Sequence, residues 1–151
     1  MTAFRLLRAP CLALGVCAAA VVSAGPPAGP PAASPAAGPA PVAVITGGDA
    51  DLDACPTWAQ VTGLDPAGDG FLAVRAGPGV DHAELDRLAE GRGLFVCVGT
   101  GDGRWLGVVY PRPGQDQADC GVSSPRAPAA PYRGDCASGW VAARWVKPVA
   151  G

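Results

Sequence analysis

Apolar positions along the chain fall into three regimes. They are nearly continuous over residues 9–22, reduced to alanine among Gly, Pro and Ser over 25–41, and thereafter gathered into short runs separated by turn residues. Val61 belongs to a weak first run, which ends at Asp65-Pro66-Ala67-Gly68-Asp69-Gly70. Residues 71–75 read as extended and stop at Ala76-Gly77-Pro78-Gly79. The clearest strand is 94–98, where a period of two puts Leu94, Val96 and Val98 on one face and Phe95 with Cys97 on the other. Both faces are apolar, so this strand is predicted to be covered twice, by the core and by the segment carrying Cys55. Gly99-Thr100-Gly101-Asp102-Gly103 predicts a hairpin turn into a strand over 105–110, and a last run spans 139–146. Short strands at this spacing predict a small all-β barrel or sandwich. One segment reads differently. Asp81-His82-Ala83-Glu84 matches a capping box, Leu85, Leu88 and Ala89 sit at helical spacing, and Gly91 suits a helix end. Local pattern alone predicts one or two helical turns there.

Five of these segments, in order, resemble bacterial SH3-like (SH3b) domains. Ala73-Val74-Arg75-Ala76-Gly77-Pro78-Gly79 resembles the family's N-V-R-x-G-P-G opening, and Leu88-Ala89-Glu90-Gly91 its L-x-x-G. Residues 94–98 are similar to the x-V-x-V-x strand, Gly103-Arg104-Trp105-Leu106-Gly107-Val108 to G-x-W-x-x-V, and Ser138-Gly139-Trp140-Val141 to x-G-W-V. The resemblance covers about residues 70–147 and implies an SH3-like β-barrel. It also implies extended chain over 84–88, against the local helical pattern. Two departures stand out. The tight link before Gly139 is replaced by about 25 residues from Pro113 to Ala137, and an extra segment with Cys55 and Trp58 precedes the barrel. Both carry cysteines, so both read as covalently fixed additions.

Composition adds the compartment. Arg5 and Arg8 precede the 9–22 stretch, and Val22-Ser23-Ala24 ends it with small residues, so 1–24 is expected to be an export signal. An uncleaved anchor is disfavoured by length, and lipidation of Cys17 by the bulky Val16 before it. Seven of the 17 residues in 25–41 are Pro, which makes that stretch an extended tether; the linker is expected to run to 48 and the domain from 49 to 151. Cys11 and Cys17 leave with the signal. Cys55, Cys97, Cys120 and Cys136 remain, an even number that predicts two disulfides with three possible pairings. Cys120–Cys136 is preferred because the segment between has no strand or helix period and needs a staple, which leaves Cys55–Cys97. The closest two are 16 positions apart with no C-x-x-C, so no metal is expected. Without Arg5 and Arg8, nine basic residues face thirteen acidic ones, a net charge of −4. That argues against a nucleic-acid partner, whose phosphates need a basic stripe.

Catalytic candidates are few. His82 is the only histidine, expected as an exposed turn residue, and a Cys–His hydrolase would need a free thiol beside it. Asp49, Asp51 and Asp53 cluster in what reads as a flexible polar lead-in and lack the further ligands of a Ca²⁺ loop. The Gly99 to Gly103 stretch lacks the Lys-Ser/Thr ending of a phosphate loop. The PxxP matches at Pro125–Pro128 and Pro128–Pro131 follow from loop composition. Most aromatics are needed as core. Tyr110 and Tyr132 flank the stapled loop and have polar tips suited to a half-exposed groove, with Arg112 and Arg133 as cations for a carboxylate. The expectation is an exported, periplasmic or extracellular, non-catalytic binding module without a cofactor or a transmembrane span. The resemblance implies a peptide, peptidoglycan or an envelope protein as its partner. Alternatives are a secreted inhibitor or effector acting through loop 120–136, and a purely structural envelope protein.

Overall fold

Trp105, Val108, Val109 and Tyr110 put aromatic and β-branched side chains on both faces of residues 105–110 and make this run the middle of the fold, since such side chains pack well on a pleated strand. The structure is a computed structural model and describes residues 38–115 and 119–151. The expected signal and the linker as far as 37 lie outside the described residues. Eleven strands follow in order: β1 (Ile45–Thr46), β2 (Asp49–Asp53), β3 (Thr57–Val61), β4 (Leu72–Arg75), β5 (Glu84–Leu88), β6 (Gly93–Gly99), β7 (Trp105–Tyr110), β8 (Pro125–Arg126), β9 (Ala130–Pro131), β10 (Ala137–Ala142) and β11 (Val146–Ala150). A single 3₁₀ turn, Ala143–Trp145, splits the last expected run between β10 and β11.

Seven strands form one antiparallel sheet in the order β11-β3-β6-β7-β10-β4-β5. The all-β class is as expected. Closure is not: β11 and β5 end the order and do not pair with each other. The sheet buries both faces. Val108 and Tyr110 of β7 join Val61, Val74, Leu94 and Val141 in one apolar layer. Trp105 and Val109, on the opposite face, join Val44, Cys55, Val122 and Trp140 in a second. Full burial of each such aliphatic side chain stabilises by roughly 1.5–3 kcal/mol. Glycine makes two of the close approaches possible. A Cβ on Gly107 would lie 2.7 Å from Val98 Cγ1, and one on Gly139 would clash with Val74 Cγ1.

The double cover expected for 94–98 is present, with one difference. Leu94 and Val96 face the first layer, Phe95 and Cys97 the second, and Val98 also packs against the second. The pairing of β6 with β7 shifts between Val96 and Val98, and such an irregularity turns a side chain to the other face. Residues 84–88 are a strand paired with β4, not helical turns. In a strand, positions 85 and 88 point to opposite faces, and only Leu88 is buried while Leu85 is 57% exposed.

The second layer is covered by the two additions. β1 pairs with β9 and β2 with β8, so the loop expected to lack strand period contributes two short strands. Cys55 N–H donates to Val122 O at 3.1 Å and Ala54 N–H to Ser124 O at 2.9 Å. The preferred pairings are found: Cys55–Cys97 ties this cover to β6, and Cys120–Cys136 staples the loop before β10. The domain therefore begins before position 49, and the expected linker ends too late. Val44 and Thr46 are buried, and Val42 N–H donates to Ala76 O at 2.7 Å. The β-branched Val44-Ile45-Thr46 run, hidden at the end of an Ala/Pro tract, is the reason. Asp49, Asp51 and Asp53 are likewise in a strand, β2, with all three exposed.

Candidate functional site

A groove lies between β5, the end of β7 and the stapled loop. It encloses about 360 Å³, and its lining includes Leu85, Asp86, Tyr110, Arg112, Tyr132 and Ser138. Three of the four residues expected at a ligand surface are thus brought together. Arg133 is exposed and does not line the groove.

The tyrosines differ from their expected role. Tyr110 was expected to be half-exposed and is only 2% exposed, because position 110 shares a strand face with Val108 and places the ring in the first layer. Its hydroxyl donates to Asp86 Oδ2 at 2.9 Å, joining β7 to β5. Tyr132 is half-buried. Its hydroxyl donates to Cys120 O at 3.0 Å and accepts from Cys136 N–H at 3.2 Å, so it spans the loop beside the disulfide. Both phenols build the walls of the groove. Asp86 was missed by sequence reasoning because its only local signal was an apparent helix; its role comes from the β4–β5 pairing, which sets it opposite Val74.

Arg112 supplies the charge at the rim. Its Nε donates to Asp135 O at 2.9 Å, and its backbone N–H donates to Gln115 Oε1 at 3.3 Å. The terminal guanidinium nitrogens have no partner among the described residues and are free to take a carboxylate, for which the planar fork is suited. Asp86 on the opposite wall adds an acceptor. The arrangement can hold a polar ligand with one anionic group.

Burial, aided by the Asp86 hydrogen bond and charge, pushes the Tyr110 phenol well above its ordinary value of 10.0, and burial also raises Tyr132. A raised phenol contributes stability that is fully present below pH 10 and is lost as pH climbs through the folded value. Tyr110 and Tyr132 are the only tyrosines. Absorbance titration at 295 nm is therefore expected to show less than half of the phenolate signal at pH 10 in the folded protein. The signal should be about nine tenths complete at pH 11 once urea unfolds the chain. A folded-state midpoint at 10 for both would contradict these hydrogen bonds.

All four described cysteines are in disulfides, so His82 has no thiol beside it. His82 is half-buried and not the exposed turn residue expected. Its ring fills the space where a Cβ on Gly77 would sit, and Nδ1 is buried without a hydrogen-bond partner. Among the described residues, no group of three or more His, Cys, Asp or Glu side chains is placed to hold a metal ion, and no helix is long and apolar enough to cross a membrane. Compared with known proteins, the chain matches no family model, no curated protein and no solved structure.

Proposed function

We propose that this protein is an exported, non-catalytic binding module on an SH3-like scaffold, which takes a peptide of the cell wall or of an envelope protein in the groove between β5 and the stapled loop. The observation that supports it is the presence, in one groove, of the Arg112 guanidinium, engaged through Nε alone among the described residues, and the Asp86 carboxylate over a polar wall. A peptide offers the matching carboxylate and amide groups. Two disulfides are compatible with an oxidising compartment. The effector reading draws less support, because Val122 of loop 120–136 is 1% exposed and fills the second layer, so the loop cannot leave without uncovering core.

Co-sedimentation with purified peptidoglycan tests the proposal. The protein is expected to be retained. Arg112→Glu should lower its affinity about tenfold or more, the effect of losing one charge-assisted hydrogen bond. Arg133→Glu, outside the groove, should leave retention unchanged. No retention above a disulfide-reduced control, or equal loss in both variants, would count against the groove.

A further inference from the structure

We infer that a second groove, along the 3₁₀ turn, binds an extended peptide carrying a carboxylate at one end and an amine at the other. Three hollows that share lining residues make it. The largest, about 660 Å³, is lined by Val80, Arg104, Trp105 and Arg144 among others. The next, about 210 Å³, shares Val80, Trp105 and Arg144 with it and adds Phe71. The third, about 160 Å³, shares Asp69, Phe71, Arg144 and Trp145 with the second and adds Asp65. Shared residues make this one track and not three separate dents.

The charges along the track change sign. No acidic side chain lines the first hollow, which holds Arg104 and Arg144, while the last holds Asp65 and Asp69 against Arg144 alone and is net acidic. In the middle the charges are already engaged: Arg75 Nη1 donates to His82 O at 3.0 Å, and Glu84 pairs with Arg87 at 2.6 Å. At the two ends charge is available, although Asp65 Oδ1 accepts from Ala67 N–H at 2.8 Å. Among the described residues the Arg104 side chain is held only by an exposed pair with Asp102, a contact of little energy that a ligand can replace. Arg144 lies over the Trp145 ring at 5.0 Å, and Asp69 has no hydrogen-bond partner among the described residues. The floor is aromatic, and Val80 stands 78% exposed at the rim, an apolar side chain with no cover. A narrow apolar track with opposite charges at its ends fits an extended chain and fixes its direction. A polyanion would meet Asp65 and Asp69, which excludes nucleic acid as the occupant.

This site does not depend on the groove holding Arg112, and the test separates the two. The probes are short synthetic peptides with a glutamate at one end, a lysine at the other and apolar residues between, each paired with its reversed-charge isomer. Binding is read by fluorescence of Trp105 and Trp145. One polarity is expected to bind at least tenfold more tightly than the other. The exposed double substitution Asp69→Lys with Arg144→Glu leaves Arg104 and Asp65 opposed by the new charges and should abolish that preference, with an unchanged near-ultraviolet dichroism reporting an intact fold. Arg112→Glu should leave it unchanged. Equal affinity for both polarities in the unsubstituted protein, absence of binding, or a preference that survives the double substitution would overturn the inference.

Discussion

Replacing Cys55 and Cys97 together by alanine is expected to lower the unfolding free energy by about 4 kcal/mol, read from urea denaturation of the oxidised proteins. The bond spans 42 positions. In the chain-entropy picture the cost of freeing a loop grows with the logarithm of its length, which gives about 4 kcal/mol here and about 3 kcal/mol for the 16-position Cys120–Cys136 loop. Two structural facts keep the order. Cys55 is 3% exposed within the second layer, so its bond to Cys97 holds the cover onto β6. The shorter loop has a second tie, since Tyr132 still bonds Cys120 and Cys136 when the sulfurs are gone. For a domain whose total stability is of the order of 5–15 kcal/mol, the longer bond is a large share. A Cys120→Ala/Cys136→Ala variant less stable than the Cys55/Cys97 pair would show that the loop, and not the cover, is the weak point.

The parts of the fold that sequence pattern reached are those where burial on one face leaves a period. Leu94, Phe95 and Val96 alternate between two layers, and Trp105 to Tyr110 do the same, so both strands were legible with their turn. The pairing of the cysteines was legible for the same reason, because Cys97 lies on a face that a second segment had to cover. β1 and β9 were not legible. Two residues each give no period, and their strand character comes from pairing across more than eighty positions. At 81–91 the local signals agreed on a helix and tertiary pairing with β4 prevailed.

The candidate site was legible in part. Tyr110, Arg112 and Tyr132 were brought together by flanking one loop, which sequence shows. Their roles were not, because a phenol's exposure is set by which face of the strand it shares, and Val108 and Tyr110 share the core face. Arg133 differs from Arg112 by geometry alone. The sign-changing groove along the 3₁₀ turn was invisible, since Asp69, Val80, Arg104 and Arg144 come from four separate connections and meet only in the folded sheet.

Trp140→Ala is expected to cost about 3–5 kcal/mol, the range for truncating a buried large aromatic side chain. Trp140 is 6% exposed and sits between the sheet and its cover, in contact with the layer formed by Val44, Val109 and Val122. Its indole Nε1–H donates to Val42 O at 2.8 Å, which fixes the chain just before β1. The two contributions separate in a second variant. Trp140→Phe retains much of the apolar area and removes the donor; Val42 is 43% exposed, so water can take over its carbonyl, and the loss should be about 1 kcal/mol. Hydrogen exchange tells where each effect acts. In Trp140→Phe the amides of Val42 and Gly47 should exchange faster, while those of Val108 and Val141, in the first layer, keep their protection. If Trp140→Ala were no more costly than Trp140→Phe, the second layer would contribute little, and the stability of the domain would rest on the first layer alone.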